Sequence, residues 1–209
     1  MPYIKTTAFI DWNSQLLQSG LPIKKNPVGA AEIALKNITR KIIKTLDEID
    51  CGKPFKVNLR FYHGWHKGYE ETVNSKAIRS VVATTDFSTL STKRNIVFDA
   101  EIGYGSCLLS ALPTRLHDKQ GIHLPNTLRD KIEGRGLEEK MVDTALATDI
   151  LVTAYAEPTT WIIAAFEDDD LIPSLFSAEA AIHRSGSRIL LISLRKRSKN
   201  FLKLDNICV

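Results

Sequence analysis

Ile162-Ile163-Ala164-Ala165-Phe166-Glu167-Asp168-Asp169-Asp170-Leu171-Ile172-Pro173 passes without a break from apolar residues into four consecutive acids. An apolar run with no alternation is buried on both faces, as in a strand of a parallel sheet. Open α/β sheets place their sites beyond the carboxyl ends of such strands, which is where these acids fall. Four adjacent carboxylates repel one another, and two arrangements account for them. One is a divalent cation, because hard carboxylate oxygens suit Mg²⁺ or Mn²⁺. The other is a solvated acidic turn that opens the next helix, where negative charge is favoured. The segment alone supports both equally.

Working outward, residues 173–185 read as a helix closed by Gly186, and 188–194 as a last strand before the basic run Arg195-Lys196-Arg197-Ser198-Lys199. Upstream, Leu137, Met141, Ala145, Leu146, Ile150, Leu151 and Ala154 recur on one broad face and predict a helix over 137–156. Residues 6–10 form a short β-type run stopped by Asp11-Trp12-Asn13. Ile33, Leu35, Ile38, Ile42, Leu46 and Ile49 predict a helix over 29–49, ended by Gly52 and Pro54. Val57, Leu59 and Phe61 alternate and predict a strand over 56–62. Residues 69–82 read as a weaker helix, 95–100 as a strand, 103–106 as a turn and 113–136 as a loop excursion rich in Pro, Gly and charge. Strands alternating with helices indicate one α/β layer domain over residues 1–209, with a mostly parallel central sheet and a basic tail over 195–209.

The 209 residues, 44% hydrophobic, suffice for a proper core, and the net charge of +4 coexists with a local acidic cluster. That contrast suits an acidic metal site within a surface that attracts polyanions; an ordinary, slightly basic protein has the same balance. Cys51, Cys107 and Cys208 are odd in number, far apart and without a CxxC pair, so no disulfide framework is expected. Lys5 and Asp11 interrupt the short apolar start, which is unlike a signal peptide. No stretch approaches the ~20 apolar residues of a membrane span. The expected setting is the reducing cytoplasm, with no membrane partner.

The acids recur at comparable places. Asp11 ends the first strand, Asp143 and Asp149 lie in the 137–156 segment, and Asp168 and Asp170 follow the strand over 159–166. Strand ends distant in sequence meet along one edge of a parallel sheet, so Asp11 and Asp168 can share a cation. Asp143 and Asp149 differ by about 240° of rotation and ~9 Å of rise on an ideal helix, and cannot share a narrow face. Asp143, nearer the helix start, is expected to hold metal directly, and Asp149 to support the site through protein hydrogen bonds or water.

Three blocks carry a family resemblance: Phe9-Ile10-Asp11-Trp12-Asn13, the run from Lys140 through Val142-Asp143 and Leu146 to Asp149, and Asp168-Asp169-Asp170-Leu171-Ile172-Pro173. In their order and spacing the chain resembles the NYN domain of the PIN-like nuclease superfamily. That family's pattern is a hydrophobic strand ending in Asp with a nearby Asn, then Lys-x-Val-Asp-x-x-Leu-x-x-Asp, then a strand ending in Asp-x-Asp-Phe-x-Pro. The chain departs from it in the spacing of Asp11 to Asn13, in Phe166-Glu167 where Ser-Gly is usual, and in Leu171 where Phe is usual. The resemblance implies a three-layer, Rossmann-like (PIN-like) fold and Mg²⁺- or Mn²⁺-dependent endonucleolytic cleavage of RNA. Asp11, Asp143, Asp168 and Asp170 would be its catalytic ligands, with Asp149 joining the metal set. DNA is a second substrate class open to such a fold. The alternative is a catalytically weak or inactive module that binds RNA or a protein through the same cleft. The sequence leaves open whether the chain is a monomer or a homodimer.

The chemistry stands on its own terms. Carboxylates hold divalent ions, which lower the pKa of bound water and neutralise charge on a phosphodiester. Asn13 would orient water or phosphate. Lys140 would meet a phosphate or stand as a solvated helix lysine, and Arg195 and Arg197 would bind phosphates electrostatically or stand as solvated tail. Trp12, Tyr62 and Trp65 either stack on unpaired bases or pack on the sheet edge. His63 and His66 lack the further local ligands of a zinc site.

Overall fold

The computed structural model describes residues 2–111, 124, 127–130 and 136–193. Its centre is a sheet of six strands: β1 (Ile4–Asp11), β2 (Phe55–Tyr62), β5 (Ile96–Phe98), β6 (Gly103–Tyr104), β9 (Trp161–Ala165) and β10 (Ile189–Ile192). Their order is β10-β9-β1-β2-β5, with β6 also paired to β2, and every pairing is parallel. Two short antiparallel hairpins stand apart: β3 (His66–Lys67) with β4 (Glu70–Glu71), and β7 (Leu128–Asp130) with β8 (Leu137–Glu139).

Strand period sets the layers. Ala8 and Ile10 of β1, and Phe55, Val57, Leu59 and Phe61 of β2, face one side. There they pack with α1 (Trp12–Leu17), α2 (Pro27–Ile49) and α3 (Val73–Thr84). Phe9, Ile162, Ala164, Phe166, Ile189 and Leu191 face the other, under α4 (Val142–Ala156) and α5 (Ile172–Ile182). The result is a three-layer, Rossmann-like α/β fold. The long helix α2 starts where Asn26 accepts from the Gly29 amide at 2.9 Å, with Pro27 in its first turn. Ile38, Ile42 and Leu46 on its inner face are completely buried, each stabilising the layer by about 1.5–3 kcal/mol.

This topology has a switch point. β1 leads into α1 and α2 on one face, whereas its neighbour β9 leads into α5 on the opposite face. Chains diverging from adjacent strand ends leave a crevice between them.

The strands over 56–62 and 159–166 and the helix over 29–49 occur within a few residues of expectation, and other segments differ. The 137–156 segment is not one helix. Leu137–Glu139 is a strand, Met141 takes a left-handed φ of 64°, and α4 begins at Val142. Residues 103–106 include a short strand along Arg60 and Phe61, and residues 69–71 belong to a hairpin before α3. Most of the 113–136 excursion, and the tail with Arg195 and Arg197, lie outside the described residues. Among the described residues no helix is long and apolar enough to cross a membrane.

Candidate functional site

Asp11 is both the last residue of β1 and the cap of α1. Its Oδ1 accepts from the Asn13 and Ser14 amides at 3.1 and 3.4 Å, and the Ser14 hydroxyl donates to Oδ2. The strand sets the position of the carboxylate and the helix start fixes its orientation. Burial raises its pKa, the Ser14 bond opposes that rise, and the charge of Glu139 adds to it.

Asp143 stands in the first turn of α4. Its carboxyl is raised to about 6, first by burial, then by the charges of Asp11, Asp168, Glu139 and Asp170. The crevice between β1 and β9 thus gathers five carboxylates from four elements within electrostatic reach. Asp168 also caps the short 3₁₀ turn Asp169–Leu171, its Oδ1 accepting from the Asp170 amide at 2.9 Å. The acidic turn therefore opens the following helix and contributes charge to the cleft, and the two readings of it coexist.

Glu167, which departs from the family pattern, has other partners. It accepts from Ser193 Oγ at 2.7 Å and from Gln18 Nε2 at 3.4 Å, and Gln18 in turn accepts from Lys41 Nζ at 2.7 Å.

Asp149 does not join the cluster. It is completely buried beneath the sheet. Its Oδ2 pairs with Arg60 Nη2 and Nε, both at 2.9 Å, and accepts from the Tyr62 hydroxyl at 2.7 Å; its Oδ1 accepts from the Leu109 amide at 2.8 Å. The protein hydrogen bonds expected of Asp149 are present, and the metal ligation that the resemblance implied is corrected, because these donors fill the carboxylate. Substrate contact by Trp12 is corrected too. Trp12 is completely buried against Phe61, ring centroids 4.7 Å apart. Trp65 and Tyr62, each 1% exposed, are core residues and not stacking platforms. Asn13 is half-buried beside Asp11, and Lys140 is exposed just before α4, its amide bonded to the Thr127 carbonyl at 2.9 Å.

Glu139 was absent from the expected set, because its segment read as a helix. The available signal was the Glu138-Glu139 pair directly before Lys140. His63, set aside as a zinc ligand, also reaches the site: its Nδ1 lies 2.5 Å from Glu139 Oε1.

The donor chemistry, all carboxylate oxygen, fits a hard divalent ion, and a cation would relieve the repulsion that raises Asp143. Among the described residues, no three His, Cys, Asp or Glu side chains stand at direct metal-ligand spacing. An ion held here would take one or two of these carboxylates directly and keep several waters, as Mg²⁺ does.

No family model matches the chain, and neither a curated protein nor a solved structure matches it. The resemblance to NYN domains rests on the quoted motifs.

Proposed function

We propose that this chain is a divalent-cation-dependent endoribonuclease working at the β1/β9 crevice. The observation that supports it is the gathering of Asp11, Asp143, Asp168 and Asp170 at the switch point, close enough that their charges, with burial, raise Asp143 to about 6. Structural capping explains the backbone bonds of Asp11 and Asp168, but not why acids from separate elements lie within electrostatic reach of Asp143. Asp11, Asp143 and Asp168 would hold the ion, directly or through water, with Asp170 acting through water. When bound, the ion would lower the pKa of water and offset the charge of the scissile phosphate.

The chain's own residues supply the rest. Asp11, tied to the start of α1, presents a carboxylate that needs little reordering. Asp143, raised to about 6 by burial and its neighbours' charges, would be held ionised by the adjacent cation and so act as a ligand. Lys140 draws phosphate to the entrance of α4 by charge, and Asn13 can orient water or phosphate. RNA as the substrate is carried over from the sequence resemblance.

A non-catalytic module that binds RNA or protein through the same cleft is the second reading. It is favoured by the absence, among the described residues, of three acids at direct-ligand spacing. The deciding experiment offers labelled RNA and DNA oligonucleotides to the wild type and to Asp143→Asn, with Mn²⁺ and with EDTA. RNA cleavage that needs Mn²⁺ and Asp143 supports the nuclease. Cleavage confined to DNA would change the substrate class. Binding without cleavage at any Mn²⁺ concentration favours the module.

A further inference from the structure

The two short hairpins stand side by side at the carboxyl edge of the sheet. β3 and β4 are reached directly from β2, whose last residue, Tyr62, is in register with Asp11. β7 and β8 lead into α4, which carries Asp143 in its first turn. The arm that they make is therefore rooted at the edge that holds the crevice. Its joints are closely bonded. The Gly64 amide donates to Glu139 Oε1 at 2.6 Å, the His66 amide to Thr127 Oγ1 at 2.9 Å, and Thr127 Oγ1 to the His66 carbonyl at 3.1 Å. Lys67 Nζ reaches Asp130 Oδ1 at 2.9 Å, and Arg79 Nε pairs with Glu71 Oε1 at 2.7 Å, which ties β4 to α3.

At the free end of the first hairpin the chain turns in two residues, Gly68 and Tyr69, between the paired Lys67 and Glu70. Gly68 takes a φ of 63°, as the first position of such a tight turn demands. Tyr69 is 97% exposed, the most open of the large apolar side chains among the described residues. Single apolar residues on a surface are ordinary; the placement of this one, at the tip of a braced arm beside the crevice, sets it apart. Core packing does not account for it, whereas Trp12, Tyr62 and Trp65 are closed to solvent. The charges around it are largely matched: Glu71, Asp130 and Glu138 pair with Arg79, Lys67 and Arg129. A nearly neutral surface that ends in an open aromatic ring suits the flat face of a base better than a phosphate.

We propose that Tyr69 is a stacking platform for an unpaired base of single-stranded RNA, in a stretch of the strand that runs past the crevice. This rests on the reading of the crevice as a ribonuclease site. The arm holds the ring in place before RNA arrives, so little ordering is needed on binding. Tyr69 is then a positioning residue: it raises affinity for strands that reach the arm and takes no part in bond cleavage. Stacking releases no counterions, so its contribution is independent of salt, unlike that of a phosphate contact.

The test measures binding of single-stranded and duplex RNA oligonucleotides by the full chain across salt, with cleavage followed in Mn²⁺. Tyr69→Ala is expected to weaken single-strand binding by about 10-fold, within the range of one base stacked on an aromatic ring. The slope of log affinity against log salt, duplex binding, the cleavage rate at saturating RNA and thermal unfolding should stay at their wild-type values. Tyr69→Phe is expected to bind like wild type and Tyr69→Leu like Tyr69→Ala. With 2-aminopurine in the strand, wild type and Tyr69→Phe should quench its fluorescence and Tyr69→Ala should not. Wild-type single-strand affinity in Tyr69→Ala overturns the proposal and leaves the crevice reading standing. So does a loss shared by Tyr69→Phe, which assigns the contact to the hydroxyl, or a change in self-association in place of RNA affinity, which assigns the tip to a second copy of the chain. No RNA binding by the wild type overturns both.

Discussion

Asp11, at the carboxyl end of β1, and Asp143, in the first turn of α4, lie close enough that the charge of the first is, after burial, the strongest influence raising the carboxyl of the second to about 6. One comes from the first strand and the other from a helix packed on the opposite face from α1 and α2. Their proximity is a product of the fold and not of local sequence.

That relationship costs stability. The Asp143 carboxyl titrates from 3.8 in the unfolded chain and about 6 in the folded one. Between those values the folded chain binds more protons, so its stability is full below about pH 4 and falls as pH rises through 6. In EDTA, Asp143→Asn is expected to stabilise the protein at pH 7.5 by about 1 kcal/mol, after allowing for screening of a solvent-reaching carboxyl. That corresponds to about 2–4 °C in Tm. The gain should vanish near pH 4 and should reverse in excess Mn²⁺, which stabilises only the wild type. Thermal melts across pH check it.

Asp149 is expected to behave in the opposite way. Its removal leaves the Arg60 guanidinium, 7% exposed, without its partner in the core. Asp149→Ala should cost about 3–5 kcal/mol in urea unfolding. The milder Asp149→Asn, where it folds, should bind Mn²⁺ within about twofold of wild type, because the two sites share no partner.

All three tryptophans are buried: Trp12 at 0%, Trp65 at 1% and Trp161 at 5% exposure. Native emission should be blue-shifted and poorly quenched by acrylamide, and adding RNA should leave it unchanged. Trp12→Ala should cost about 3–5 kcal/mol, whereas Trp12→Phe should leave RNA affinity at the wild-type value.

Gly105→Ala should damage the fold through the same buried ion pair. A Cβ there would fall 2.0 Å from Tyr62 Cδ1, displacing the ring whose hydroxyl serves Asp149. A loss of about 1–3 kcal/mol is expected from the overpacking, read by urea unfolding, with no direct effect on Mn²⁺ affinity.

What could be read from the sequence was whatever depends on period and strand polarity. The apolar run at 162–166 and the alternation at 57–61 located β9 and β2, and the parallel arrangement then put Asp11 and Asp168 on one edge. That Asp149 would accept protein hydrogen bonds was legible from its rotation away from Asp143, but its partners Arg60 and Tyr62 were not, because they are nearly ninety positions away. Trp12 misled because adjacency to Asp11 says nothing of direction: α1 turns the ring inward onto Phe61. Glu139 was hidden by Leu137 and Met141, whose helical spacing continues across a break at the left-handed Met141.

The most direct measurement is made on Asp168→Asn, with RNA binding across salt and single-turnover cleavage at saturating RNA measured in Mn²⁺. The account predicts that cleavage is abolished while RNA binding persists or tightens, since one negative charge has left the cleft. Cleavage by Asp168→Asn at the wild-type rate would contradict it and take the β1/β9 crevice out of the chemistry.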